Sequence, residues 1–209
     1  MMHAYKTVMR RGESVHIVQK SRFLGVCVPA ADEAGAVEAI EAQRKKHYDA
    51  RHHCYAFVTG PHRRSSDDGE PSGTAGMPIL EVLLKNGVNN ALIVVTRYFG
   101  GVLLGTGGLV RAYSAAAVQA LEDARPVTMH EAIRYRIGLD YARYNRLSAL
   151  VKSANAKVLH EDFGVEVCVD LAVRAVDAAS FLRRFEEFTE GRGIMSETGR
   201  GYHAWHEEE

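Results

Sequence analysis

From Ile133 to Leu139 the apolar residues Ile133, Tyr135, Ile137 and Leu139 alternate with Arg134, Arg136 and Gly138, a period of two that predicts a half-buried strand. Tyr144, Leu147, Leu150 and Val151 then recur at helical spacing, followed by a short predicted strand at 157–161 and a turn at Phe163-Gly164. Val165, Val167, Val169, Leu171 and Val173 alternate again. Asp177 is placed to cap a helix with Phe181, Leu182, Phe185 and Phe188 on one face, Gly191 and Gly193 end it, and 194–198 can form a last strand. The order strand, helix, strand, strand, helix, strand is the ferredoxin-like split pattern. It predicts a C-terminal α+β domain over 126–209, joined at Arg125-Pro126 to a first domain over 1–125.

The first domain is less regular. Residues 15–19 and 23–28 read as paired strands, 32–46 as a helix with Val37 and Ile40 facing inward, and 51–59 as a strand. Residues 60–76 are rich in Gly, Ser, Pro and Asp and read as a loop. Pro78 suits the first turn of a helix ending at Lys85, with Asn86-Gly87 as its stop. The continuous apolar run 91–96 suits a strand buried on both faces, and a glycine-rich loop leads into a helix from about Gly108 to Glu122. Alanines 112, 115, 116, 117 and 120 make that helix slim enough for close packing.

Composition narrows the function classes. In 209 residues, 26 basic side chains balance 26 acidic ones, so a non-specific nucleic-acid coat protein, which needs a clear basic excess, is disfavoured. Any nucleic-acid contact must come from a local patch, and the best one runs through Arg44, Lys45, Lys46, His47, Arg51, His52, His53, His62, Arg63 and Arg64. No apolar run approaches a membrane span, and 1–11 has no signal-peptide core. The expected address is the cytoplasm, with Cys27, Cys54 and Cys168 reduced and mostly buried and 207–209 a disordered acidic tail.

Three segments carry candidate chemistry. On strand 51–59, His52, Cys54, Ala56 and Val58 share a core-like face and His53, Tyr55 and Phe57 the other. His52 and Cys54 with Asp67, Asp68 or Glu70 are a conceivable metal set, but neither Cys-x-x-Cys nor His-Glu-x-x-His spacing is present. Neither metal nor cofactor is expected. Asp67-Asp68-Gly-Glu70 offers paired carboxylates for acid–base work, or equally a set of turn formers that bond their own backbone. Glu70 followed by Pro71, Ser72, Gly73 and Thr74 could place hydroxyls and backbone amides around a small anion. The third segment, 97–108, resembles a phosphate cradle at a helix N-terminus, with Gly105, Gly107 and Gly108 at the turn. It lacks the Lys-Ser/Thr of a P-loop and the Gly-x-Gly-x-x-Gly order. Arg97 and Arg111 can supply charge, and Tyr98, Phe99 and Tyr113 either stacking faces or core.

Together the Asp49–Cys54, Ser66–Gly76 and Arg97–Gly108 segments resemble the signature of the YigZ/IMPACT family, with the resemblance clearest over 20–121. It implies a first domain like the fourth domain of elongation factor G and a second like that factor's fifth. Eukaryotic members act in translational control by competing for the ribosome-associated activator of the amino-acid-starvation kinase. Bacterial members carry the ferredoxin-like domain in place of the module that binds that partner, so that competition does not transfer to this chain. The resemblance establishes no catalytic residue. The leading expectation is therefore a binding protein that contacts the ribosome, RNA or a translation factor, with no membrane or DNA partner. Its surface would comprise Arg51, His52, His53, Asp67, Asp68, Glu70, Thr74, Arg97, Tyr98, Gly105, Gly107, Gly108 and Arg111, neighbours on one open face. The rivals are a small-molecule or metal-dependent enzyme built on His53, Asp67, Asp68 and Glu70, and a protein–protein adaptor.

Overall fold

Residues 4–205 are described by a computed structural model, and the chain divides into two compact units, one over 5–128 and the other over the remainder. The described residues open with strand β1 (Ala4–Thr7), and the first unit contains β2 (Gly12–Val18), β3 (Ser21–Pro29), β4 (His52–Thr59), β5 (His62–Ser66) and β6 (Ala91–Tyr98). Its helices are α1 (Glu33–Lys46), α2 (Gly76–Lys85) and α3 (Gly105–Ala124). Five strands form an antiparallel sheet in the order β2-β3-β6-β4-β5. The apolar run of β6 lies at its centre and is buried on both faces, as expected of that run.

Helices α2 and α3 cover one face, burying Phe23, Cys54, Ile79, Ile93, Val95 and Tyr113. Helix α1 covers part of the other, over Phe57, Leu92 and Val94. The alanines of α3 have the expected purpose. A Cβ on Gly12 would lie 2.3 Å from Ala120 O, and one on Gly25 2.7 Å from Ala116 O, so backbone meets backbone where α3 crosses β2 and β3. Ser14 Oγ completes the contact by donating to Ala116 O at 2.7 Å.

Three local expectations change. Val37 is exposed, because the inward stripe of α1 runs through Ala36, Ile40 and Gln43, whose i, i+4 and i, i+3 steps turn Val37 away. The segment 60–76 is not all loop: β5 pairs with β4 through 62–66, leaving a shorter loop after it. Helix α3 begins at Gly105 rather than Gly108, so Gly105, Gly107 and Gly108 form its first turn.

The second unit contains β7 (Val127–Leu139), α4 (Tyr141–Ser153), β8 (Lys157–Phe163), β9 (Val167–Arg174), α5 (Ala178–Thr189) and β10 (Ile194–Trp205). Strand β7 pairs with β9 and β10, and β8 pairs with β9. The two alternating stretches read from the sequence supply Ile133, Tyr135, Ile137, Leu139, Val167, Val169, Leu171 and Val173 to one core, closed by Leu147, Leu150, Phe181 and Phe185. Val165 falls outside β9 and is exposed. Asp177 stands at the N-cap of α5 without capping it, since its carboxylate accepts from Arg174 Nε at 2.6 Å. Strand β10 runs further than expected, to Trp205, which packs on Ala132 and Ala172. The acidic residues 207–209 lie outside the described residues. Among the described residues no helix is long and apolar enough to cross a membrane.

Candidate functional site

The loop between β5 and α2 is organised by two adjacent carboxylates. Asp67 Oδ1 accepts from the N–H groups of Ala75 and Gly76 at 3.0 and 2.8 Å, and Oδ2 from Gly73 at 2.8 Å. Burial works to raise the pKa of Asp67, but these three N–H groups outweigh it and hold the carboxyl below its usual range. The side chain thus closes the loop and caps the start of α2, whose N-cap residue Ala75 has no side chain able to do so. Asp68 and Gly69 adopt left-handed backbone at φ +43° and +86°, turning the chain so that Asp68 faces β4. There its Oδ2 accepts the His53 backbone N–H at 2.7 Å and its Oδ1 accepts Arg44 Nη2 at 2.9 Å. The carbonyl of Asp68 lies 2.9 Å from His52 Nδ1, which places the proton of that imidazole on Nδ1.

Below this turn lies a buried ion pair. Arg97 Nη1 donates to Glu70 Oε1 at 2.7 Å, with the two side chains only 7% and 3% exposed. Tyr113 OH donates to the same oxygen at 2.8 Å, and the Cys54 thiol lies 3.4 Å from that hydroxyl and donates to Asp67 O at 2.9 Å. The Arg97 guanidinium lies over the rings of Phe23 and Phe99, 5.4 and 5.5 Å from their centroids, and its Nε has no hydrogen-bond partner among the described residues. Burial drives the Cys54 thiol and the Tyr113 phenol far up from their ordinary pKa values, so both stay protonated. His53, buried on the opposite face of β4, has its Nδ1 3.1 Å from Thr96 Oγ1, and desolvation lowers its pKa. Thr74 Oγ1 donates to Pro71 O at 2.6 Å and is buried.

The three signature segments therefore do converge, but mostly on one another. Asp67, Asp68, Glu70, Thr74, Arg97 and His53 bond inside the unit, where an open surface was expected. The physical reason is register: Arg97 stands opposite both Phe23 and His52 in the sheet, on the face that α2 and α3 cover, so its side chain points into the core. Among the described residues no three His, Cys, Asp or Glu side chains gather as metal ligands.

What stays open is the end of the sheet around these segments. Arg51 and Arg111 are exposed, His52 is half-buried, and Gly105 and Gly107 are exposed at the first turn of α3, with Gly108 half-buried. Tyr98 is half-buried, donates to Asp49 Oδ1 at 2.8 Å and lies 3.1 Å from His47 Nδ1. The turn 99–104 rests on the β2–β3 hairpin: Gly100 N–H donates to Ser21 Oγ, and a Cβ on Gly100 would come within 2.1 Å of the Lys20 carbonyl carbon. That approach admits only glycine. It lifts Phe99 (53% exposed) and Leu103 (86%) toward solvent, while Tyr48, after α1, is 86% exposed. Sequence reasoning missed Tyr48, Leu103, Lys20 and Arg22. Tyr48 carries no motif, Leu103 lies in the third segment but is apolar, and the last two become neighbours of the site only through strand pairing, which sets Arg22 against Tyr98.

These features define a two-unit α+β protein whose signature residues form a self-bonded polar cluster beneath an exposed cationic and aromatic sheet end. The chain belongs to the IMPACT family. The Impact N-terminal domain matches residues 19–121, and a domain of unknown function, DUF1949, matches 137–192. It is 36% identical over 182 residues to IMPACT family member YigZ of Escherichia coli K12, covering 85% of this chain and 89% of the relative. It is 33% identical to IMPACT family member YvyE of Bacillus subtilis 168, covering 94% and 92%. A crystal structure described as that of a hypothetical protein superposes with a TM-score of 0.61 at 33% identity, covering 93% of this chain and 97% of the other.

Proposed function

We propose that this chain is a binding protein of the translation machinery that contacts RNA through the cationic end of its N-terminal sheet. The observation that carries the reading is an imbalance of partners. Lys20, Arg22, Lys45, Lys46 and Arg51 are all exposed, and none forms an ion pair among the described residues. Most acids beside them are already paired with other cations: Asp68 with Arg44, Glu70 with Arg97 and Glu13 with Arg11, while Asp49 accepts from the neutral Tyr98 hydroxyl and keeps its charge. A chain of zero net charge thus concentrates unneutralised cations at one place, which is what phosphate binding requires. Family membership supports a role connected with translation, while the competition that the eukaryotic relatives exert does not carry over to a chain with this C-terminal domain. The element order of the C-terminal unit, with β7 between β9 and β10, supports the ferredoxin-like reading, and with it a likeness to the last two domains of elongation factor G.

The enzyme reading loses support because its carboxylates and imidazole are committed to backbone and core partners. The test is co-sedimentation with ribosomes across a salt series. Wild-type chain is expected in the pellet at low salt and released as salt rises. The Arg22→Ala/Arg51→Ala variant should bind more weakly with a shallower salt dependence, the slope falling by about 0.7–0.9 for each phosphate no longer neutralised. Wild-type protein left in the supernatant at low salt, with no affinity for RNA, overturns the reading.

A further inference from the structure

Resting on that reading, we infer that the RNA recognised is single-stranded, with unpaired bases held by the turn 99–104 and the cleft beside it. The Phe99 ring is half exposed, yet it is not loose: the buried Arg97 guanidinium lies 5.5 Å from its centroid, and Arg97 is itself tied to Glu70. One part of the ring is thereby anchored from below while the rest faces solvent, the arrangement of a stacking platform. Anchoring also limits the rotamer entropy that a base would otherwise have to remove. Tyr48 is a second exposed ring, joined by sequence to His47, which contacts Tyr98 at this same sheet end.

Beside the turn a cleft of about 400 Å³ opens between β2 and α3. Its wall is apolar at Val18, Leu104 and Ala112, and His16, Gln19 and Arg111 offer hydrogen-bonding groups along it. None of these three polar side chains has a hydrogen-bond partner among the described residues. An apolar wall with polar groups at its edge suits a planar heterocycle splayed from its strand. A duplex keeps its bases stacked internally and offers such a platform nothing but its ends, whereas unpaired nucleotides satisfy the platform, the cleft and the cations at once. The cations also argue against an apolar peptide, which would leave five of them unanswered.

The experiment compares binding of the full chain to a labelled single-stranded RNA dodecamer and to a duplex of the same length, at one fixed salt concentration. The wild-type chain is expected to prefer the single strand. Phe99→Ala should weaken single-strand binding about tenfold while duplex affinity and the fold, followed by circular dichroism, are retained. Phe99→Trp should restore binding, and its added fluorescence should be quenched by the single strand but not by the duplex. Equal affinity for both RNAs, or single-strand binding unchanged in Phe99→Ala, overturns this inference and leaves the RNA-binding reading standing. Binding to neither RNA overturns both.

Discussion

Replacing Arg97 by Met removes a charge that has one strong partner and no solvent. Arg97 and Glu70 meet at 2.7 Å with both side chains almost completely buried, and among the described residues the other side chain bonded to the Glu70 carboxylate is Tyr113, at 2.8 Å. Methionine preserves an unbranched stem between Phe23 and Phe99, so packing is largely retained. What it leaves is a carboxylate out of water with a single hydroxyl donor. Breaking such a pair from one side costs about 3–5 kcal/mol, and the remaining Tyr113 bond sets the expectation at about 3 kcal/mol. Glu70→Leu strands the guanidinium and the Tyr113 hydroxyl together and should cost about as much.

The double variant distinguishes a pair from two independent residues. With both charges gone, neither is left uncompensated. Arg97 Nε, buried and unbonded in the wild-type protein, no longer has to be accommodated. Only the Tyr113 hydroxyl is deprived of its acceptor. The double loss should therefore be about 3 kcal/mol, half of the additive sum, which is a coupling of about 3 kcal/mol. Calorimetry of the full chain measures this: the transition of the N-terminal unit should fall by about 10–15 °C in each single variant and no further in the double. Additive shifts, or single shifts of one or two degrees, would refute the assignment of Arg97 to the core and return it to the surface as a ligand-binding group.

The carboxylate that closes the loop gives a pH signature. Because the folded pKa of Asp67 lies below its ordinary value of 3.8, its bonds add stability that is complete above that value and fades as pH falls through the depressed one. The stability difference between wild type and Asp67→Asn should be constant from neutral pH down to about 4 and shrink below it; a difference that grows on acidification contradicts the three N–H bonds. The cysteines separate by burial: Cys27, its pKa pushed up to about 12 by burial, and the still more strongly shifted Cys54 should resist a thiol reagent in native protein, while exposed Cys168 reacts. One fast thiol per chain before denaturation and three after is the expected outcome, and a fast Cys54 would contradict its enclosure beneath Tyr113.

Where the sequence carries a strict period, it specifies the element. The alternations at 133–139 and 167–173 each bury one face in the observed core, with Val165 left outside it, and the six-residue run at 91–96 is the central strand. Where polarity hides an element, pattern reading fails. Strand β5 is His-Arg-Arg-Ser-Ser, an edge strand held by its pairing to β4 and not by burial, so nothing in its composition separates it from a loop. Strand β10 likewise runs through Gly199, Arg200 and Gly201 before Trp205 anchors it. For the site, residue types were legible and their partners were not. A histidine or carboxylate has the same letter whether it faces solvent or a backbone N–H, and register made that decision here: Arg97 points toward α2 and α3 because it is two residues from Val95 and four from Ile93, both of which bury on that face.

That distinction bears on how the signature itself should be understood. Asp67 holds the start of α2, Asp68 ties the loop to β4 and α1, and Glu70 fastens it to β6 and α3 through Arg97 and Tyr113. These elements are thereby attached to one short loop by charged or polar bonds, and apolar packing alone would not fix that loop's position so narrowly. The same bonds also orient what lies outside them, since Arg97 sits under Phe99 and Asp68 anchors Arg44 at the end of α1 that presents Lys45, Lys46 and Tyr48. A residue set that resembles a catalytic constellation by composition thus acts as a structural frame beneath the sheet end proposed to bind RNA. The surface is then the place to expect affinity, and the frame the place to expect stability.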